Sequence, residues 1–181
     1  MPIEFKLKSG AALMAALSAV YPVSGYAASA AQVDFAAGDV KALAPDGRSR
    51  PIAKGAEIAN GETIDTGSGR AQVRFTDGAQ VSLAPQTQFR IDDYRFTGKA
   101  DGSEKGFFSL LKGGLRTITG LVGRSNRENY KVTTTVATIG IRGTEYSVVY
   151  GNSINVTTGE GSNDVCNAAG CLILNTGETA Y

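Results

Sequence analysis

The stretch "TTTVATIGIRGTEYSVV", residues 133–149, combines β-branched residues with two glycines, Gly140 and Gly143, that stand on either side of an arginine. Its spacing does not fit a phosphate-binding loop, which needs four residues between its glycines followed by Lys and Ser or Thr, or a dinucleotide-binding loop, which needs a third glycine. Strand-forming residues follow Gly143, and glycines inside a strand mark a bulge, a corner or a close approach of two backbones. The stretch therefore predicts one bent strand, entering as Val132–Ile139 and leaving as Thr144–Tyr150.

Short alternating segments separated by turn signals extend over most of the chain. In "AQVRFTDGAQVSL", residues 71–83, apolar and polar residues alternate on both sides of Asp77-Gly78, which predicts a hairpin with a type I′ turn. "YSVVYGNSINVTT", residues 146–158, predicts a second hairpin around Gly151-Asn152. Many short strands with glycine turns predict an all-β domain, an elongated sandwich-like or solenoid-like fold preceded by a signal peptide.

One segment competes with this interpretation. "GFFSLLKGGLRTITGLVG", residues 106–123, places apolar residues at roughly helical spacing, but two adjacent glycines in its middle would cost a helix about 2 kcal/mol. We therefore expect a strand Phe107–Leu111, a tight turn at Gly113-Gly114 and a strand Leu115–Thr119. An irregular or single-turn helical link then leads to Tyr130.

The N-terminal residues have the pattern of a secretory signal peptide. Lys6 and Lys8 precede the apolar run "AALMAALSAVYPV", which is too short to span a bilayer, and Ala28-Ser29-Ala30 is a small-residue cleavage signal. We expect residues 1–30 to be the signal peptide, residues 31–181 to be a single domain, and the mature protein to be periplasmic or secreted without a membrane span. An uncleaved N-terminal anchor helix is the alternative.

The two cysteines fit an exported protein. Cys166 and Cys171 flank four residues that can form the tip of a hairpin, and an oxidising compartment favours a disulfide between them. A metal site would need more ligands than this neighbourhood has. We expect the disulfide to hold the hairpin tip without taking part in catalysis.

The absence of histidine restricts the enzyme classes that the chain could belong to. It removes the commonest general base near neutral pH, every Ser–His or Cys–His nucleophile pair and every zinc site with a histidine ligand. A carboxylate-dependent enzyme acting on cell-envelope carbohydrate remains as the alternative hypothesis, with Asp92-Asp93 or Asp77 as candidates. Adjacent residues of a strand point to opposite faces, however, so Asp92 and Asp93 would not flank one glycosidic bond. We expect no catalytic residues, no metal and no cofactor.

Charge is uneven along the chain, although the part after residue 30 is neutral overall, with sixteen positive and sixteen negative residues. That balance argues against nucleic-acid binding. Residues 105–131 carry six cations against one glutamate, and residues 132–181 carry an excess of carboxylates. Two solvated faces would explain these blocks, and a binding surface for an acidic protein or an anionic envelope polymer is the functional alternative. The binding residues predicted from the basic block are Arg116, Arg124, Arg127 and Lys131.

The stretch of residues 133–149 also resembles the signature of the FecR-like domain family, with a Thr-rich strand followed by Ile-Arg-Gly-Thr and an aromatic residue. "ANGETIDTGSGRAQVRFTDGAQVSLAPQTQFRID", residues 59–92, is similar to further landmarks of that family in the same order. The resemblance covers about residues 58–150, and residues 106–132 fit its exported, stand-alone branch. The motif residues are Gly140, Arg142, Gly143 and Thr144, and Arg142 is interpreted either as a structural residue or as a ligand contact.

The resemblance implies a periplasmic β-rich domain that binds another protein or relays a signal, without catalytic activity. The namesake proteins are inner-membrane regulators that couple an outer-membrane transporter to a sigma factor. We expect this protein to lack their cytoplasmic anti-sigma segment and their transmembrane helix. We therefore expect the fold and a binding role to carry over better than the signalling pathway. A structural repeat of a larger surface protein is a third hypothesis.

Overall fold

The computed structural model describes residues 29–99, 101–141, 143 and 145–181. Most of the predicted signal peptide, together with Arg142 and Thr144 of the motif, lies outside these residues. The described part is an all-β sandwich, as the sequence predicts. Its strands form two sheets, A and B, joined into one hydrogen-bonded network of sixteen strands. No helix in this part is long and apolar enough to cross a membrane.

Sheet A has the strand order β4-β1-β6-β7-β9-β12-β13-β16 and is antiparallel throughout. Its strands are β1 (Ser29–Ala37), β4 (Glu57–Ala59), β6 (Arg70–Phe75), β7 (Gln80–Leu83), β9 (Lys105–Ile118), β12 (Glu145–Tyr150), β13 (Ile154–Glu160) and β16 (Thr179–Ala180).

Sheet B has the order β3-β2-β5-β8-β9-β10-β11-β14-β15, with one parallel pair, β9 with β10. Its further strands are β2 (Lys41–Leu43), β3 (Ser49–Pro51), β5 (Thr63–Asp65), β8 (Gln88–Arg95), β10 (Tyr130–Thr133), β11 (Thr138–Ile141), β14 (Ser162–Asn167) and β15 (Gly170–Asn175). Between β9 and β10 lie a short helix, α1 (Leu121–Ser125), and one 3₁₀ turn, Arg127–Asn129.

Strand β9 belongs to both sheets, which corrects the prediction of two strands around a turn at Gly113-Gly114. Residues 105–112 pair with β8 in sheet B, whereas residues 113–118 pair with β12 in sheet A. The strand bends at Gly113, where φ is +90°. A Cβ at this position would lie 2.4 Å from the Cα of Thr87, so only glycine fits the bend without displacing the neighbouring backbone. The predicted single-turn helical link before Tyr130 is present as α1 and the 3₁₀ turn.

Both predicted hairpins form, as β6–β7 and β12–β13, but the turn of the first is different. Type I′ requires positive φ at both central residues, and only Gly78 has it, at +87°. The Gly78 amide donates to the carbonyl of Phe75 over 3.0 Å, and the Phe75 amide donates to the carbonyl of Ala79 over 2.9 Å. This is a three-residue connection, a type I turn followed by a glycine bulge.

The stretch of residues 133–149 is not one bent strand. The chain reverses between β10 and β11, where the Thr134 amide donates to the Ala137 carbonyl over 2.8 Å, so the predicted entering strand Val132–Ile139 is wrong. The predicted change of direction at the second glycine does occur, because β11 lies in sheet B and β12 in sheet A. At this crossing a Cβ on Gly143 would lie 2.4 Å from the Cα of Gly161, which connects β13 of sheet A with β14 of sheet B. Two crossings between the sheets thus pack backbone against backbone.

Aromatic rings fill the centre of the space between the sheets. Phe108 of sheet B contacts Phe75 of sheet A, with ring centroids 5.1 Å apart, and also contacts Phe89 and Tyr130 at 5.5 Å. The side chains of all four are buried. These contacts across the interior show that the two sheets pack face to face around one core.

The N-terminal strand β1 begins before the expected start of the mature domain. Ser29 lies opposite Ala59 on β4, and the side chain of Ala30 is 2% exposed. A mature chain starting at Ala31 would lose both contacts, whereas a chain starting one or more residues before Ser29 would keep them.

Candidate functional site

The carboxylates considered for catalysis make structural contacts. The buried carboxylate of Asp77 accepts hydrogen bonds from the amides of Ala79 and Val122, over 3.1 and 3.0 Å. Asp92 accepts a hydrogen bond from Arg90 and another from Ser109. Asp93, the residue after it, instead pairs with Lys105 over 3.0 Å. Asp92 and Asp93 thus bind different partners, but the expectation that they point to opposite faces is wrong, because β8 has a bulge between Ile91 and Asp93 that turns both side chains outward.

Asp77 also positions the segment that carries much of the basic block. At the start of α1, the carboxylate of Asp77 accepts a hydrogen bond from the amide of Val122, and its backbone carbonyl accepts one from the amide of Leu121. This satisfies two of the donors that a helix N-terminus leaves without an intrahelical partner. Gly120 allows the approach, since a Cβ there would lie 2.4 Å from Oδ2 of Asp77.

Glu104 holds the other side of this segment. Its buried carboxylate accepts hydrogen bonds from the hydroxyl of Ser125 over 2.7 Å and from the amides of Asp101 and Gly102 over 3.1 and 2.7 Å. The hydrogen bond from Ser125, together with those from the backbone, lowers the pKa of Glu104 below its ordinary value. The side chain of Asn129 donates to the Glu104 carbonyl over 3.0 Å. The loop before β9 is thereby tied to both α1 and the 3₁₀ turn.

Next to this segment, the outer face of sheet B has a cleft of about 680 Å³, which we call the β10–β11 cleft. Lys131 on β10 lies opposite Gly140 on β11, and Gly140 lies opposite Asp164 on β14. Because Gly140 has no side chain, the floor between Lys131 and Asp164 is low. The lining residues are Arg127, Glu128, Lys131, Thr138, Gly140, Ile141, Asp164 and Cys166.

The structure brings together only part of the predicted binding set. Arg127 and Lys131 line the same cleft, and within the described residues neither side chain makes an ion pair or a hydrogen bond. Arg124 is exposed on α1 and does not line the cleft. Arg116 lies in sheet A, where its Nε donates to the carboxylate of Glu145 over 2.9 Å. The cleft is of mixed charge, because Glu128 and Asp164 stand beside the two cations.

Two threonines within the landmark stretch, residues 59–92, connect segments where the chain passes from one sheet to the other. The hydroxyl of Thr66 donates to the Ala84 carbonyl over 2.8 Å and accepts the Thr87 amide over 2.9 Å. The hydroxyl of Thr87 in turn donates to the carbonyl of Gly114 and accepts its amide, over 3.0 and 2.9 Å. Both threonines are fully buried. These landmark residues therefore fasten the crossings between the sheets and are not available to a ligand.

The model of the family described as FecR protein matches residues 62–162, more than half of the sequence. The chain belongs to the FecR family. The matched region of this FecR domain runs from Glu62, just before β5, to the first residue of β14. It therefore contains the bend of β9 at Gly113 and the crossings at Gly143 and Gly161. No curated protein matches the chain in sequence.

Solved structures support the fold of this FecR domain. Two crystal structures of a candidate anti-sigma factor from Parabacteroides distasonis match it, with TM-scores of 0.52 and 0.50 and sequence identities of 20% and 18%. Each match covers 65% of this chain and 52% of the other, so the chain spans about half the length of these relatives. At this identity the likeness concerns the fold.

The C-terminal hairpin, formed by β14 and β15, carries a surface that the sequence interpretation did not identify. Cys166 and Cys171 form the predicted disulfide at its tip. On β15, the side chains of Leu172 and Ile173 are 54% and 51% exposed. The signal was present in "CLIL", residues 171–174, an apolar run without charge or proline, but periodicity alone does not show that such a run lies at a sheet edge.

Proposed function

We propose that this FecR domain is an exported, non-catalytic module that binds another protein of the cell envelope. We propose that it acts as part of a signalling regulator. Membership of the FecR family and the likeness to a candidate anti-sigma factor support a regulatory role. The disulfide supports a location in an oxidising compartment. Export through residues 1–30 is part of the proposal, and a single domain follows them.

The binding site proposed is the β10–β11 cleft. The observation that carries it is the pair Arg127 and Lys131, two exposed cations that line one cleft and have no partner among the described residues. Their backbone is held by structured elements, the 3₁₀ turn and β10, so little ordering of the site is required on binding. An acidic segment of a partner protein would place its carboxylates against these two side chains.

The test of the cleft is a paired charge reversal. Arg127→Glu/Lys131→Glu removes both cations, and Lys54→Glu/Arg70→Glu makes the same change in net charge at exposed positions outside the cleft. Binding of a polyglutamate peptide should weaken in the first variant and persist in the second, and it should weaken with added salt. Equal binding by both variants would rule out the cleft as the site.

The biological partner requires a second experiment. The mature protein is used as bait in periplasmic extract, and the captured proteins are compared between wild type and the two double variants. A protein lost only from the cleft variant is the expected partner. Binding of an anionic polysaccharide such as dextran sulfate, with no protein captured, would indicate the envelope polymer instead.

Export is tested by sequencing the N-terminus of protein taken from the periplasm or medium. We expect an end between Ala28 and Gln32. An intact Met1 would contradict it.

A further inference from the structure

The sandwich has four edge strands within the described residues: β3, β4, β15 and β16. An edge strand presents unpaired amides and carbonyls and can pair with another chain unless it is short, charged, interrupted by proline or covered. Three of the four edges have such protection, and β15 has none.

The three protected edge strands avoid pairing with another chain in different ways. Strand β3 is three residues long and contains Arg50 and Pro51. On β4, the guanidinium of Arg50 donates to the Glu57 carbonyl over 2.7 Å, and the amide of Ala59 donates to the carboxylate of Glu62 over 2.9 Å. Strand β16 has only two residues. Strand β15, by contrast, has six residues with neither charge nor proline.

The backbone of β15 has free groups on its outer side. The Cα atoms of Cys166 and Cys171 are 4.0 Å apart, the short spacing of a pair that does not exchange backbone hydrogen bonds. The amide and carbonyl of Cys171 therefore point away from β14, and by alternation so do those of Ile173. Those of Asn175 point outward too, but they are satisfied by the side chain and the amide of Glu178. The open edge thus consists of Cys171 and Ile173, with Leu172 between them.

We infer that β15 pairs antiparallel with β15 of a second copy of this chain, which extends sheet B across a two-fold axis. A two-fold axis brings residues near their own copies, so a strand without charge meets no like-charge repulsion. Centring the pair on Leu172 places Cys171 of each copy opposite Ile173 of the other and forms four backbone hydrogen bonds. Centring it on Cys171 or Ile173 forms only two, because the loop residue Ala169 or the already satisfied Asn175 would have to supply the others.

The exposed side chains fit this register. Leu172 faces the same side of sheet B as the buried Val132 and Ile139, in the row of paired residues that ends at the edge. It lines a groove of about 350 Å³, with Val136, Val156 and Val165 among the other lining residues. The second copy would set its own Leu172 against this one. Burial of these apolar groups provides the driving force that backbone pairing alone does not.

Association is measured first, on the mature protein as purified, by analytical ultracentrifugation over a range of concentrations. The expected result is a reversible equilibrium between one copy and two. A single copy at every concentration would overturn the inference.

Charge substitutions then locate the interface. Leu172→Lys places two ammonium groups against each other across the two-fold axis, and the dissociation constant of the dimer should rise by roughly tenfold or more. Val149→Lys is the matched control, because Val149 is 59% exposed on β12, which has partners on both sides. The control should associate like wild type. A dimer that survives Leu172→Lys, or that is weakened as much by Val149→Lys, would contradict the pairing.

Hydrogen exchange of wild type keeps the inference testable if Leu172→Lys does not fold. The amides of Cys171 and Ile173 should exchange more slowly as the protein concentration rises. Fast exchange at all concentrations would exclude pairing, and equal protection at all concentrations would show that another part of the same chain covers the edge. The cleft variant Arg127→Glu/Lys131→Glu should still dimerise, so the inference stands or fails separately from the proposed function.

Discussion

Gly143 shows how a single residue of the family motif serves the fold. The position requires glycine. The requirement is space, because the backbones of Gly161 and Ser162 lie 2.4 and 2.7 Å from the position that a Cβ would take. The sequence interpretation expected a backbone conformation closed to branched residues, and the structure provides a steric reason for glycine, the close approach of two crossings.

We predict that Gly143→Val lowers the free energy of unfolding by about 1–3 kcal/mol, since the side chain must displace neighbouring backbone. Gly140→Ala, three residues earlier, is the control: the nearest atom to its Cβ would be 3.8 Å away, an ordinary contact. Urea denaturation should show a change within about 1 kcal/mol for that variant. Wild-type stability for Gly143→Val would show that the two crossings do not pack as described.

Glu104 gives a prediction on acid stability. Its pKa is lowered in the folded state, so the carboxylate stabilises the fold above its ordinary pKa of 4.5, and this contribution is lost as the pH falls through the lowered value. Glu104→Gln should therefore be less stable than wild type at pH 7, and the difference should shrink towards pH 3. Glu128→Gln, an exposed residue of the same segment, should show a smaller difference. A difference for Glu104→Gln that does not vary with pH would contradict this role.

At the scale of elements, β9 joins the two sheets by bending where its sequence has two glycines. Alanine substitutions at the neighbours Gly113 and Gly114 distinguish the residue that forms the bend from the residue beside it. Gly113→Ala meets both a positive φ of +90° and the Cα of Thr87 at 2.4 Å, and we predict a loss of about 2–4 kcal/mol. At Gly114 the nearest atoms to a Cβ would be 3.5 Å away, so Gly114→Ala should change stability by less than about 1 kcal/mol. Thermal denaturation compares the stability of the two variants, and equal melting temperatures would contradict a bend at Gly113.

The elements that could be predicted from sequence are those decided by local contacts. The β6–β7 hairpin follows from alternation on both sides of Asp77-Gly78, because register and turn depend on neighbouring residues. For β9 the prediction from local pattern was wrong, because two adjacent glycines are compatible with a turn between two strands and also with a bend within one strand. The alternatives are distinguished by partners far along the chain, Thr87 on one side and Tyr150 on the other.

At the scale of the molecule, the disulfide contributes to stability without being required for the core. It closes a loop of six residues at the tip of one hairpin, and the chain-entropy estimate for a loop of this size is about 2 kcal/mol. Reduction should lower the melting temperature by about 4–8 °C and leave a cooperative transition. Cys166→Ser/Cys171→Ser is the control and should not respond to reductant. Complete unfolding on reduction would mean that the hairpin supports more of the sandwich than its position indicates.

The candidate site could be predicted only in part. Arg127 and Lys131 lie four residues apart around a single short turn, so their shared surface follows from local structure. Arg116 belongs to the same basic block in sequence, but the bend of β9 carries it into sheet A, where Glu145 neutralises it. The low floor at Gly140 depends on the pairing of β10, β11 and β14, which no local pattern specifies.

The sequence by itself determined the all-β class, the two hairpins, the disulfide and the family, because alternation, turn residues, cysteine spacing and motif order are properties of neighbouring residues. Only the tertiary structure decided that one strand serves two sheets, that Gly143 makes room for a second backbone and that Thr66 and Thr87 connect the crossings between the sheets. It also decided which apolar run became an open edge. These features depend on segments that are distant along the chain meeting in space, and their exact fit is set by steric contact and by hydrogen bonds between strands.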